Sequence, residues 1–184
     1  ASMTIPIATS PGRSGFGPSL TLTYDSSAGN GEFGFGWSLG LPAVRRKTER
    51  GLPRYRDRID DDAEDHADTF FITGADDLVL VRKADGTPYS EVRDGFRVHR
   101  FQPRVEGSFT RIERWTRLDT GEVHWRTISA SNVTTLYGTT PLSRVFDPAD
   151  PRRVFEWLIA ETYDDKGNAT VYEYVTENSA GVDL

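Results

Sequence analysis

The chain has no cysteine in its 184 residues, so disulfides and thiolate metal sites are excluded outright. Its one methionine is Met3, preceded by Ala1-Ser2, and it stops at "SAGVDL" without a closing element. Both features make a segment of a longer gene product the expectation. No apolar run approaches the roughly 18 residues needed to span a bilayer. The N-terminus lacks the basic region and apolar run of a secretory signal. Positive charge is scarce: 22 Lys and Arg stand against 28 Asp and Glu, a net charge of −6. That balance argues against a dedicated nucleic-acid binder, which is usually basic. Convincing helix is missing as well: no stretch reads as a helix of four turns.

What the chain has is strand signal. In "SLTLTY" (19–24), Leu20 and Leu22 alternate with Thr21 and Thr23, a period of two. "DTFFITG" and "DLVLV" (68–81) are short β-branched and aromatic runs. "GFRVHRF" (95–101) alternates apolar and basic residues. "FTRIERWTRL" and "EVHWRTI" flank Asp119-Thr120-Gly121, a hairpin signal with Gly where φ > 0 is needed. "RVFEWLIAETY" (153–163) fits a helix face or a strand face, but the turn "DDKGN" and the alternating "ATVYEYV" that follow make it the first strand of a hairpin. "RYRDRIDDDAEDHAD" (54–68) reads as a charged, mobile excursion. Turn signals about 8–12 residues apart complete an antiparallel all-β pattern.

Two catalytic-looking patterns overlap in "GNGEFGFGWSLGLP" (29–42). Gly29, Gly31 and Gly34 fit the dinucleotide fingerprint, and Gly36, Ser38 and Gly40 fit a nucleophile elbow. Each needs a strand–turn–helix context. Further glycines and Pro42 cannot sustain that helix. His99, His124 and many Asp residues lie downstream of Ser38, so a triad is not forbidden by order alone, but the context speaks against one. The stretch instead alternates Phe33, Phe35, Trp37, Leu39 and Leu41 with Gly or Ser on most steps. That predicts a core strand with a bare side against which a neighbour packs closely.

Other constellations weigh less. Asp60, Asp62, Glu64, Asp65 and Asp68 offer alternating carboxylates for Ca²⁺, without the EF-hand glycine, and a solvated loop without metal is the expectation. Residues 91–117 hold Arg93, Arg97, Arg100, Arg104, Arg111, Arg114 and Arg117 among four acids, interleaved with Phe96, Phe101, Phe109 and Trp115. Such a mix can grip single-stranded nucleic acid, yet it is more often the two faces of strands. His66, His99 and His124 are too scattered for ligand spacing. Trp115, Trp125 and Trp157 suit a core better than a sugar platform.

"IPIATSPGRSGFGPSLTLTYDSSAGNGEFGFGWSLGLPAVRRKTERGLPRY" closely resembles the opening of the SpvB-type N-terminal domain, the domain that begins the Salmonella plasmid virulence B protein and the B components of insecticidal Tc toxin complexes. "DTFFITGADDLVLV", "RFQPRVEGSFTRIERW" and "NVTTLYG" are similar to its later blocks. "RVFEWLIAETYDDKGNATVYEY" also resembles the YD repeats of RHS proteins, through Tyr163, Asp164, Gly167, Asn168, Tyr172 and Tyr174. Only "RIDDDAEDHAD" departs, being longer and more acidic. The resemblance implies a part of a hollow β-rich shell around a toxic effector, joined to a C component and to a pore-forming A component through the intact chain. The Salmonella protein's ADP-ribosyltransferase lies in a separate domain with no counterpart in these residues.

The reading is one all-β domain of antiparallel hairpins over residues 1–184, shell-like or sandwich-like, with little or no helix and an RHS-like hairpin at 154–176. The expected role is non-enzymatic and structural in a secreted toxin's B component, with no catalytic residue, cofactor, metal, nucleic acid or membrane insertion. A carbohydrate- or protein-binding module at a cell surface is the alternative. The C-terminal hairpin, cut from a longer sheet, is expected to self-associate along its open edge or to be marginally stable.

Overall fold

Period-two alternation pays off along most of the chain. The structure is a computed structural model that describes residues 1–31, 33–49, 51–55, 57, 59, 68–74, 77–105 and 109–175. Among these it forms strands and two single-turn 3-10 helices, at Arg13–Gly15 and Pro141–Ser143. The antiparallel all-β expectation therefore holds.

Eight strands close into a ring. They are β6 (Ala43–Arg46), β7 (Phe70–Ile72), β8 (Asp77–Leu80), β10 (Phe96–Pro103), β11 (Phe109–Arg117), β12 (Val123–Ser129), β13 (Thr134–Tyr137) and β15 (Asp150–Tyr163). They pair in that order, β10 joins β11, and β15 returns to β6, every pair antiparallel. Three further strands add to the rim: β9 (Ser90–Arg93) on β10, and β14 (Arg144–Asp147) and β16 (Ala169–Val171) on β15. An eight-stranded barrel is just wide enough for side chains to fill it. Val44, Phe70, Ile72, Phe101, Ile112, Trp125, Tyr137 and Trp157 do so, all buried in one cluster.

The shell-like or sandwich-like antiparallel sheet expected from sequence takes the form of a closed barrel. Closure depends on register shifts between Phe109 and Arg111 and between Leu136 and Tyr137. Such irregularities bend a strand and raise its twist, and no period-two count reveals them. The second of them leads into Gly138, at φ 69°, where an added Cβ would lie 2.3 Å from Trp157 Cδ1. Only glycine lets that indole reach the barrel interior, where its Nε1 donates to Val123 O at 2.9 Å.

Residues 153–163 are strand, inside the 14-residue β15, the longest element. The turn after it is held by Asp164, whose carboxylate accepts from the backbone N of Lys166 and of Asn168 and from Asn168 Nδ2. The hydrogen bonds of Asn168 keep that carboxyl below its ordinary range. Gly167 supplies the left-handed turn position at φ 85°. The expected strand 170–175 is shorter, ending at Val171, while Tyr174 Oη donates to Ile159 O at 2.8 Å.

A second, three-stranded sheet pairs with no barrel strand. It consists of β1 (Ser2–Ile7), β2 (Leu20–Asp25) and β5 (Trp37–Leu39). The core strand expected across 33–41 is not there. Gly34 at φ 96° and Gly36 at φ 80° break the run into β4 (Gly34–Phe35), paired with β3 (Asn30–Gly31), and β5. Phe33 and Phe35 are exposed. The close approach expected at Gly36 is real: a Cβ there would meet Tyr24 Cε2 at 2.7 Å and Asp25 O at 2.8 Å.

Candidate functional site: an arginine lock in the barrel mouth

The most concentrated chemistry lies where the β6–β7 connection leaves and re-enters the barrel. Arg46 is the last residue of β6 and shares the inward face with Val44, opposite Phe70. Its side chain is 1% exposed. A buried guanidinium must be paired and hydrogen-bonded. Nε donates to Val154 O at 2.7 Å; Nη1 and Nη2 grip Asp57 at 2.5 and 2.8 Å, and Nη1 also reaches Asp68 at 2.9 Å. The plane of the group lies near the rings of Tyr55, Phe70 and Trp157, at 5.1, 5.0 and 5.4 Å. Arg114, inward from β11, gives Asp57 a second cationic partner at 2.7 Å. Two guanidiniums thus face two carboxylates.

Asp57 and Asp68 belong to the connection. Asp68 also accepts from the backbone N of Arg54 and of Tyr55, which closes the loop on itself. Tyr55 is held at φ 53°, a conformation bulky residues seldom adopt without surrounding constraint. Burial pushes the Asp57 carboxyl up, but the hydrogen bond of Arg46 and the charges of Arg114 and Arg46 outweigh it and hold the group below the ordinary carboxylate range. The charged excursion is therefore anchored at Asp57 and Asp68, not free along its length. Asp60, Asp62, Glu64 and Asp65 lie outside the described residues.

Beside the lock is a cavity of about 150 Å³ lined by Asp57, Glu122, Arg144, Phe146, Val154 and Trp157, among others. Small-molecule sites are commonly about 300–1,000 Å³, so it is small for a substrate. Among the described residues no three His, Asp or Glu side chains gather as a metal ion would require, and no helix is long and apolar enough to cross a membrane.

Of the residues singled out from sequence, Asp68 and Arg114 enter the lock and Trp157 flanks it; the others fall elsewhere. Ser38 is exposed on β5, opposite Thr23, and the chain after it runs through Gly40–Pro42 into β6, not into a helix. His99 is buried on β10, opposite Arg114. His124 stacks on Trp115 with ring centroids 5.8 Å apart and meets the edge of Phe96 at 5.3 Å. Burial, then the charges of Arg144 and Arg126, lower its pKa to about 4.

The arginine-rich run 91–117 divides as strand faces do. Arg114 points inward to the lock, whereas on the outer face Arg93 lies over Trp115, Arg117 over Phe96 and Arg100 over Tyr89. Arg93 pairs with Glu91, and Arg117 with Asp119 at 2.9 Å. Trp115, Trp125 and Trp157 are all buried, so these three rings serve the packing and not a sugar platform.

Sequence reasoning missed Arg46 and Asp57. The available signal was parity: Arg46 stands two residues from Val44, on the face the barrel buries. A charge there demands an acidic partner, and the acid-rich connection follows at once.

Fold and site define a class: an all-β module around a closed barrel, in which two buried arginines, Arg46 and Arg114, tie down one of its own loops. The comparisons agree. The family described as SpvB, Salmonella virulence plasmid 65kDa B protein, matches residues 1–184, and the chain belongs to it. Mono(ADP-ribosyl)transferase SpvB of Salmonella typhimurium is 33% identical over the whole chain, which corresponds to 31% of that protein; the chain thus spans about a third of the length of the curated relatives it matches. The solved N-terminal domain of effector protein SpvB from Salmonella typhimurium strain LT2 superposes with a TM-score of 0.81 at 32% identity, over 99% of this chain and 57% of that one. A TcdB2-TccC3-Cdc42 crystal structure gives 0.82 at 29% identity, over 98% and 8%. The Photorhabdus luminescens Tc holotoxin pore gives 0.81 at 29%, also over 98% and 8%.

Proposed function

We propose that the chain is a non-enzymatic structural unit of a secreted toxin's B component, helping to build the body that encloses or carries a toxic effector. The carrying observation is that 98% of it superposes on a small part of solved Tc complexes. The local chemistry supports the same reading: the buried ion network stabilises a loop, and no helix follows Ser38. Because the barrel closes on itself, the unit is a discrete block set against a larger body, not a strip of continuous wall. Its partners are the remaining toxin components, a C component and a pore-forming A component, reached through the intact chain. The transferase activity in the relatives' name belongs to those proteins; this chain is expected to transfer no ADP-ribose.

Removal of residues 1–184 from the intact B chain is the direct test. Loss of protease protection for the effector within the complex is expected; full protection and toxicity without the segment would refute the structural role. Labelled NAD and a serine-directed phosphonate, offered to the chain, should both leave no covalent label. Stoichiometric label on Ser38 would instead mark an enzyme.

A further inference from the structure

The β1–β2–β5 sheet carries an apolar face that the barrel does not use. Register places Met3, Ile5 and Ile7 of β1 beside Tyr24, Leu22 and Leu20 of β2, and Tyr24 and Leu22 beside Trp37 and Leu39 of β5. Side chains alternate between faces, so these eight residues share one side. Ser2, Thr4, Thr21, Thr23 and Ser38 occupy the other. None of the eight belongs to the barrel's core cluster. Met3 is 50% exposed, Ile5 and Ile7 41% each. A sheet that sorts its residues this cleanly is built to be covered on the apolar side.

Size selects the cover. Two six-residue strands and the three-residue β5, at about 3.4 Å per residue in rows about 4.8 Å apart, give a face of about 250 Å². A stable association of separate molecules buries about 800 Å² per partner. A second copy of the chain is thus poorly served. A segment tethered in the same polypeptide is held at roughly millimolar effective concentration and needs far less contact. Relatives carry such polypeptide: the matched part is 57% of the solved Salmonella N-terminal domain and 8% of the Tc chain.

We propose that the Met3–Ile5–Ile7 face is the seat on which further polypeptide of the same chain packs, presenting an apolar β layer of its own, and that this contact fixes the barrel to the larger body. The inference rests on the structural role proposed above and names its docking surface.

The chain lacks cysteine, so single thiols report each face. Ile5→Cys and Thr4→Cys are made both in the 184-residue chain and in the intact polypeptide, and maleimide uptake is read peptide by peptide. At Ile5→Cys, labelling in the intact polypeptide is expected to be at least about tenfold slower than in the 184-residue chain, as for a group released only by local opening. Thr4→Cys should react alike in both. Peroxide oxidation of Met3, on the same face, gives the same comparison without any substitution. Equal rates at Ile5→Cys and Met3 in the two proteins would overturn the proposal. So would protection within the 184-residue chain that grows with concentration, since the cover would then be a second copy. An enclosed effector with a reactive face sinks this inference alone; a covered face with an unprotected effector sinks the proposed role alone.

Discussion

Replacing Asp57 by Ala removes the carboxylate shared by two buried cations. Arg46 and Arg114 have side chains 1% and 4% exposed, against 21% for Asp57. Breaking a buried ion pair at one partner costs about 3–5 kcal/mol, because the other charge stays in a poorly solvated place. Two features reduce that figure. Asp57 is itself partly hydrated, and Arg46 keeps Asp68 and Val154 O. About 2–4 kcal/mol remains, or roughly 5–15 °C in Tm for a chain of this size. The assay is thermal unfolding followed by near-ultraviolet circular dichroism, which reads the barrel tryptophans, alongside urea unfolding. Arg46→Met should cost a similar amount, and the double variant less than the sum, since the partners are in contact. A Tm within about 2 °C of the parent, or strict additivity, would refute the lock.

Three further outcomes follow from named contacts. Gly138→Ala should destabilise by about 2–4 kcal/mol, combining a left-handed backbone with overpacking against Trp157 2.3 Å away; an unchanged urea midpoint would contradict the fit. Gly36→Val forces Tyr24 and the Asp25 carbonyl aside and should abolish hydrogen-exchange protection across β2 and β5 while leaving the barrel amides slow, and retained protection would show an open face. His124 has a pKa of about 4 in the folded chain against about 6.5 unfolded, so the unfolded state takes up the proton first. Stability should fall by about 1–3 kcal/mol as pH drops from about 6.5 toward 4; His124→Phe should flatten that slope, and identical slopes would count against it.

Local pairing was legible in sequence where alternation and turn chemistry coincided. The β11–β12 hairpin around Gly121 and the β15–β16 hairpin around Gly167 are the clearest cases, each with its glycine at positive φ. Closure was not legible, because it depends on bulges and on which distant strands meet. The stretch 33–41 misled for a related reason: alternation counts apolar residues but not the φ > 0 steps at Gly34 and Gly36 that divide the strand. The lock was half legible, as an inward Arg46 with acids following, but its partner lay 11 residues on, in a run that composition alone reads as solvated.

The seam between β6 and β15 sets an order of events at the ribosome. Arg46 reaches Val154 across a separation of 108 residues. At about 5–20 residues per second, β6 waits roughly 5–20 s for its neighbour. During that interval β6 is an unsealed edge, and a guanidinium destined for the interior stands in water. Everything upstream of β15 is then a curled, incomplete sheet, so a nascent chain halted near residue 150 should be cut by protease within segments that the released chain protects. Equal resistance in the two would mean that the N-terminal strands consolidate before the ring is sealed.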